Sequence, residues 1–527
     1  MRKFLMGVMA LALLLLGCWY LTYFQGFYLP LDPDAPVTVP VKAEDGKLWV
    51  QSGEGYEPFL VKGVAVSSSL PGKEFSDYAA DEEKYLRWLE QIREMGANTV
   101  LVSTILDDDF YNAFYRVNEG AEKPLYLLQT ISVSDYANDS AQDASSKEFL
   151  GSLLQDARDA VDVVHGRKAI ALNRLKGSGW YRRDCSPWLL GYVVGAAWDP
   201  GVIAYTDHNK ANSRVYEGAC FSTGKEASPF EALMARVMDR LASYETEKYH
   251  AQHPVSFVND PQNDPFAYEP VYGRQVGKYN CVDAEHVEAQ PGFQAGMFAS
   301  YRLYEFCGGY AQYFSARQKA ELGDILPGLD TSRYYEGYPQ LLSEYHTLPV
   351  VVTSYGFSTA RGLVSERQTD TGPLNERQQG ERLAQTFRDI AGSGCSGAVV
   401  STWQDVWTQR TWNTSFAVDL AGTARWHDLQ TDGQGYGLLA FDPGEKERVC
   451  VVDGDPSEWE GTAKAAENNG LSLSVRQDEE ALYLLVSGED VSESSRLYVP
   501  LDVTPKTGSK TFREPDLSFS RAADFLL

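Results

Sequence analysis

Between Phe59 and Trp403 short runs rich in β-branched and aromatic residues alternate with stretches of helical periodicity. Eight such runs stand out: Phe59–Val66, Thr99–Ser103, Leu125–Gln129, Leu189–Ala196, Val255–Val258, Met297–Tyr304, Val350–Thr353 and Ala398–Trp403. Lys168–Leu172 reads as a short continuation after the third. Short β-rich runs that alternate with helical patterns are the signature of a parallel sheet with crossover helices. The intervening stretches Asp81–Met95, Lys147–Val164, Pro229–Tyr249 and Glu376–Ala391 carry helical spacing; in the first, Tyr85, Leu86, Leu89 and Ile92 fall on one face. The expected α/β fold is a (β/α)₈ TIM barrel enlarged by insertions. A doubly wound open sheet is the rival, but it wants a Gly-rich phosphate turn after its first strand, and Gly63-Val64-Ala65 offers none.

The ends of the chain differ in texture. Arg2 and Lys3 precede an uncharged stretch, Phe4 to Phe24, of the length a helix needs to cross a bilayer. Trp19, Tyr20 and Tyr23 suit an interfacial belt, and no small-residue cleavage pattern follows. Leu15-Leu16-Gly17-Cys18 is like a bacterial lipoprotein box, yet the apolar run continues past Cys18, which favours a spanning helix with its positive end in the cytoplasm. Beyond Asp442-Pro443-Gly444, alternating runs at Leu471–Val475, Leu482–Val486 and Leu497–Val503 indicate a small C-terminal antiparallel β module. The expected domains are a transmembrane anchor at 1–24, a linker and N-terminal hairpin at 25–57, the barrel at 58–443 and the β module at 444–527.

Charge narrows the partners. Lys and Arg total 47 against 73 Asp and Glu, a net charge of −26. Such a field repels phosphate backbones and anionic headgroups, so nucleic acid is excluded as a partner and the membrane is met only through the N-terminal helix. The seven Cys and seven His show no metal-ligand spacing, so no metal or other cofactor is expected. Six downstream cysteines, from Cys185 to Cys450, are open to either disulfides or buried thiols.

In a barrel of this kind chemistry sits at the C-terminal ends of the strands. The fourth run leads into Gly195-Ala196-Ala197-Trp198-Asp199-Pro200, the fifth into Asn259-Asp260-Pro261-Gln262-Asn263-Asp264. The sixth carries Ser300-Tyr301-Arg302-Leu303-Tyr304-Glu305, the seventh Thr353-Ser354-Tyr355-Gly356 and the eighth Thr402-Trp403-Gln404-Asp405-Val406-Trp407. With Val61-Lys62-Gly63-Val64, Met95-Gly96-Ala97-Asn98-Thr99-Val100 and Gly437-Leu438-Leu439-Ala440-Phe441, these motifs in this order resemble the retaining glycoside hydrolases of the (β/α)₈ clan. The resemblance is to the family 2 barrel and its membrane-anchored bacterial branch. It implies an acid/base Glu at the end of strand four and a nucleophilic Glu at the end of strand seven. Those two positions are Ala197 and Ser354 here, and Arg302 stands where such enzymes often carry a His.

Retaining hydrolysis needs two carboxyls about 5–5.5 Å apart, one to protonate the leaving oxygen and one to attack the anomeric carbon. A methyl group does neither, and a serine hydroxyl without an adjacent base is a poor nucleophile. The retaining mechanism is therefore expected to be absent. Asp199, Asp264, Glu305 and Asp405 are fallback carboxylates for a relocated mechanism; loop Asp residues more commonly accept backbone amides. Trp198, Asn259, Tyr301, Tyr355, Trp403, Asp405 and Trp407 are the candidate substrate-binding residues, as rings for sugar stacking and polar groups to orient a ligand; Trp412 is a further ring of this kind. Gly356-Phe357-Ser358-Thr359-Ala360 matches a loose nucleophile-elbow pattern, but no helix start follows it.

Asp453-Gly454-Asp455-Pro456-Ser457-Glu458-Trp459 resembles the opening of a family 9 carbohydrate-binding module, and Asp502, Thr504, Pro505 and Gly508 fit a later part of that pattern. Few strands are visible for a closed sandwich, so an incomplete module is expected. The function expected is that of a single-pass cell-membrane protein, its bulk extracellular: a glycosidase-like, catalytically impaired pseudoenzyme that binds surface oligo- or polysaccharide. An active glycosidase or transglycosidase using relocated carboxylates is one alternative. A structural scaffold for glycan-synthesis machinery, such as an envelope glycan synthase, is the other.

Overall fold

A computed structural model describes residues 2–29, 32, 35–53, 55–132, 142–172, 175–304, 309–360, 374–410, 431–441, 449–452, 455–478, 481–489, 491–492, 495–504, 506–512 and 517–526. The chain divides into two compact units, Met1–Phe441 and Asp442–Leu527.

In the first unit eight parallel strands close into a barrel: β1 (Val61–Ala65), β2 (Thr99–Val102), β3 (Tyr126–Ile131), β4 (Leu189–Val194), β5 (Val255–Asn259), β6 (Ala299–Leu303), β7 (Val350–Tyr355) and β8 (Gly397–Val400). These are the eight runs expected from the sequence. The short stretch after the third run lies outside the barrel: Lys168–Ile170 pairs antiparallel with Gly179–Tyr181. All six residues of β4 are buried, as a strand covered by barrel interior on one side and helices on the other must be. The helices Lys147–Val164 and Pro229–Tyr249 begin at side-chain caps, Ser146 and the Ser228–Glu231 capping box, so their starts are written locally.

The barrel closes where Gly397 of β8 faces Val61 of β1. Gly397 has φ +115°, and a Cβ on it would lie 2.1 Å from the Val61 carbonyl oxygen. Gly397→Ala is therefore expected to cost at least about 1–3 kcal/mol. Urea unfolding followed by tryptophan fluorescence should show a lower midpoint with an unchanged slope.

The N-terminal helix, Arg2–Tyr23, contains a stretch, Lys3–Tyr23, long and apolar enough to cross a membrane, and none of it is buried in protein. Its last turn packs on the barrel unit: Trp19 and Tyr23 stand edge-on to Trp180, at 5.7 and 6.1 Å between ring centroids, with the Arg182 guanidinium 4.6 Å from the same indole. Beyond it, Lys168 Nζ donates to Phe24 O (3.1 Å), Lys248 Nζ to Gly26 O (3.2 Å) and the Tyr28 hydroxyl to Glu247 Oε2 (2.9 Å). Lys168 is buried and Lys248 half-buried, and they are ion-paired with Asp159 and Asp162 respectively. Residues 41–59, within and just past the expected linker, form a three-stranded antiparallel sheet, Val41–Glu44, Lys47–Ser52 and Gly55–Phe59. It is held beneath the barrel through Thr38 N to His250 O and Ala43 N to Ala295 O.

In the second unit Lys464–Asn468, Leu471–Gln477 and Leu482–Gly488 form an antiparallel sheet. Pro500–Leu501 pairs with Phe525–Leu526, and Ser509–Phe512 with Leu517–Ala523. Of the run expected at Leu497–Val503 only Pro500–Leu501 is strand. Trp459 is buried beneath the Arg476 guanidinium, while Asp453, Gly454 and Pro505 lie outside the described residues. The described cysteines, Cys18, Cys185, Cys220, Cys281, Cys395 and Cys450, are all free thiols.

Candidate functional site

A cavity of about 530 Å³ opens at the C-terminal ends of the strands, and β1 to β7, with the residues just past β8, contribute to its wall. Ala65, Leu101, Thr130, Val193 and Val258 come from β1 to β5, Arg302 from β6, Thr353 and Ser354 from β7, and Ser401 and Thr402 follow β8. Tyr304 and Tyr436 add two rings at right angles, 5.9 Å between centroids. The wall is thus aliphatic at its base and rich in hydroxyls above. Among the described residues lining it, none carries a carboxyl, an imidazole or a thiol.

Two irregularities shape the β6–β7 side. The β6–β7 register shifts between Tyr301 and Arg302, making Arg302 the lateral partner of Ser354, and the β7–β8 register shifts between Val352 and Tyr355. Such shifts re-aim side chains at strand ends. Here they bring Arg302, Tyr304 and Ser354 onto one patch, with the Tyr304 and Ser354 hydroxyls 2.6 Å apart. The Arg302 guanidinium carbon lies 5.7 Å from the Tyr304 ring centroid.

At the end of β4, Gly195 has φ +86°, and a Cβ there would meet Trp198 Nε1 at 2.4 Å. The turn this permits puts Gly195 and Ala196 on the wall and folds Trp198 back, its Nε1 donating to Val194 O and its ring packed between Phe149 and Phe230. Ala197 is half-buried beside the wall, not part of it. Ser354 is on the wall.

The fallback carboxylates have other occupations. Asp199 caps the helix Pro200–His208, its Oδ1 accepting from Gly201 N (2.7 Å) and Val202 N (3.1 Å). Asp264 is fully buried; its Oδ1 accepts from Lys278 Nζ at 2.5 Å and its Oδ2 from the Tyr338 hydroxyl. Asp405 Oδ1 accepts from Gly437 N at 2.8 Å. Glu305 and Trp412 lie outside the described residues.

None of the seven candidate substrate-binding residues is on the wall of the cavity. Trp198, Tyr301, Tyr355 and Trp403 belong to the hydrophobic core. The Tyr301 hydroxyl is hydrogen-bonded to His346 Nε2 (2.8 Å), and that of Tyr355 donates to Leu383 O (3.2 Å). Asn259 Nδ2 donates to Val282 O (2.9 Å), and the buried Trp407 ring is edge-on to Phe441. The structure brings together Ser354, Arg302, Tyr304 and Tyr436 instead. Arg302 and Tyr304 stand two residues apart at the end of the sixth run, a spacing that could have placed both toward one side, but Tyr436 arrives from a loop past β8 with no pattern to announce it.

Behind Tyr436 stands Asp432, whose carboxyl burial pushes up to about 6, against hydrogen bonds from Tyr436 and Ser358 that lower it. Burial and the neighbouring Asp432 push the Tyr436 hydroxyl well above the ordinary phenol range. Among the described residues no cluster of three or more His, Cys, Asp or Glu is placed to hold a metal ion.

An eight-stranded parallel barrel with a hydroxyl-lined cavity at the C-terminal strand ends defines the class. No protein-family model matches the sequence, and no curated protein matches it. Solved structures similar to it include a β-glucuronidase from Ruminococcus gnavus, at 12% identity and TM-score 0.40 over 76% of this chain and 49% of that one. Another is β-glucuronidase 2 from Bacteroides uniformis, at 11% identity and TM-score 0.41 over 76% of this chain and 35% of that one. The chain thus spans half or less of their length, and a likeness at that identity and score assigns it neither an activity nor a ligand.

Proposed function

We propose that the barrel is a catalytically impaired glycosidase-like pseudoenzyme that binds an oligo- or polysaccharide at its mouth without cleaving it by the retaining route. The N-terminal helix would hold it in a cell membrane with the barrel on the outer side. The observation that carries this reading is the make-up of the cavity wall: hydroxyls, two tyrosine rings and one guanidinium, with no carboxyl among its described residues. Ser354, at the position where the family resemblance implies the nucleophile, has its hydroxyl bonded to Tyr304 instead of to a base. General acid catalysis alone contributes about 10²–10⁴-fold, so losing it with the nucleophile leaves little turnover. Hydroxyls and aromatic faces remain suited to hold a sugar ring.

The full chain in detergent is expected to give no turnover above background on a panel of chromogenic glycosides. On a glycan array it should bind at least one oligosaccharide, with affinity reduced about tenfold or more in Tyr436→Ala, since a contacting aromatic ring contributes about 1–3 kcal/mol of that order. Clear turnover abolished by Asp432→Asn would overturn this in favour of relocated catalysis, which the Asp432–Tyr436 pair favours over the other carboxylates. Absence of both turnover and binding would leave the scaffold for glycan-synthesis machinery.

A further inference from the structure

Arg302 carries the one permanently charged group on the described wall of the cavity. The buried or half-buried lysines of the same unit, Lys168, Lys176, Lys248 and Lys278, each hold a carboxylate partner within 2.7 Å. Arg302 has none within ion-pair distance among the described residues, in a chain with 73 carboxylates from which to supply one. Asp260, which follows β5, does feel its charge; its carboxyl is pushed up by burial and drawn down by Arg302. The Asp260 side chain is turned to Gln262 N (2.9 Å) and Asn263 Nδ2 (3.4 Å). A half-buried cation whose charge is met by Asp260 only at a distance, with no ion pair among the described residues, keeps its guanidinium donors available, and the register shift on β6 aims it into a cavity whose described wall is otherwise uncharged.

We propose that the cavity takes a saccharide bearing an oxyanion substituent, a carboxylate or a sulfate, and that Arg302 grips that group. The planar guanidinium offers two parallel N–H donors whose spacing matches either oxyanion. Tyr304 and Ser354, on the same patch, supply hydroxyls to the group or to the ring that carries it, and Tyr436 supplies an apolar face. The negative field of the whole chain repels free anions, so recognition requires the sugar and its charge together. The inference rests on the glycan binding proposed above and adds the chemical class of ligand.

The test is calorimetry on the full chain in detergent with matched monosaccharide series of gluco, galacto and manno configuration. Each series contains the neutral methyl glycoside, its C6 carboxylate and its 6-sulfate, with acetate and inorganic sulfate as anion controls. In at least one series an anionic form should bind about tenfold or more tightly than its neutral parent, as charge-assisted hydrogen bonds allow. Which anion gains the advantage distinguishes carboxylate from sulfate. Arg302→Gln should weaken the anionic form by a factor about tenfold larger than it weakens the neutral parent, so that the advantage disappears, and Arg302→Lys should retain part of it. A thermal midpoint unchanged in Arg302→Gln, with Arg302→Met as a second neutral variant, secures the comparison. Neutral sugars binding as well as anionic ones, or Arg302→Gln weakening both alike, would overturn the inference alone. No binding by any sugar would overturn the glycan-binding function and this inference with it, and binding of the anion controls as tight as the sugars would overturn the saccharide part.

Discussion

Lys278→Met is expected to destabilise the barrel unit by about 3–5 kcal/mol, the cost of leaving a buried charge without its partner. Lys278 Nζ donates to Asp264 Oδ1 at 2.5 Å, to Asp264 O at 3.0 Å and to Pro261 O at 3.2 Å, and neither side chain is more than 2% exposed. Methionine fills the same volume but donates nothing, so a carboxylate and two carbonyls lose their hydrogen-bond donor together. Burial already pushes the Asp264 carboxyl up, opposed by the Lys278 charge and by hydrogen bonds from Lys278, Tyr338 and Phe266. Without Lys278 the carboxyl rises further. A raised carboxyl contributes stability below its unfolded value and loses it as pH rises, so the defect should be smaller at pH 4 than at pH 8. Urea midpoints at the two pH values measure this. The double variant Asp264→Asn, Lys278→Met should recover part of the loss, and a single variant as stable as the parent at pH 8 would contradict the account.

Glu245 should dominate the acid limb. It is fully buried, and its Oε1 is bonded to His165 Nε2 (3.0 Å), His253 Nδ1 (2.9 Å) and the Tyr192 hydroxyl (3.0 Å). Burial raises its carboxyl, but the His253 charge and the hydrogen bonds from both imidazoles outweigh that and hold it at about 2, below the ordinary 4.5. A lowered carboxyl stabilises the fold above its unfolded value and loses that contribution as pH falls from about 4.5 toward 2. The interval corresponds to a contribution on the order of 3 kcal/mol. Glu245→Gln keeps the shape and removes the titration. The stability difference between parent and variant should therefore shrink from that size at pH 5 toward nothing near pH 2. Equal differences at both pH values, read from urea midpoints, would reject Glu245 as the source.

The two ion clusters also mark where sequence reasoning stops. The eight strands were legible because a parallel barrel buries both faces of each strand, leaving short β-rich runs such as Leu189–Val194, all six residues of it buried, between stretches of helical periodicity. Helix starts were legible because Ser146 and Ser228 cap them with side chains a few residues away. Ser354 was singled out only through the family resemblance, as the residue at the end of the seventh run. The wall of the cavity was not legible, because where a side chain points at a strand end depends on turns and register shifts. Gly195 turns Trp198 into the core, and the shift after Tyr301 sends Arg302 outward into the cavity. Asp199 and Asp405 looked available as loop carboxylates, yet each is spent on a backbone amide, the commoner occupation of such residues. Tyr436 and Asp432 come from far along the chain, and only tertiary packing brings them to the mouth.

The grip of Lys168 on Phe24 O and of Lys248 on Gly26 O has a mechanical consequence. A helix whose exit is fastened this way cannot act as a leash. Tilt or spin of the helix carries the barrel with it, so the opening faces one set direction relative to the helix axis. Its reach is that of a rigid arm. Under the proposed function, a glycan would have to be delivered along that line of approach.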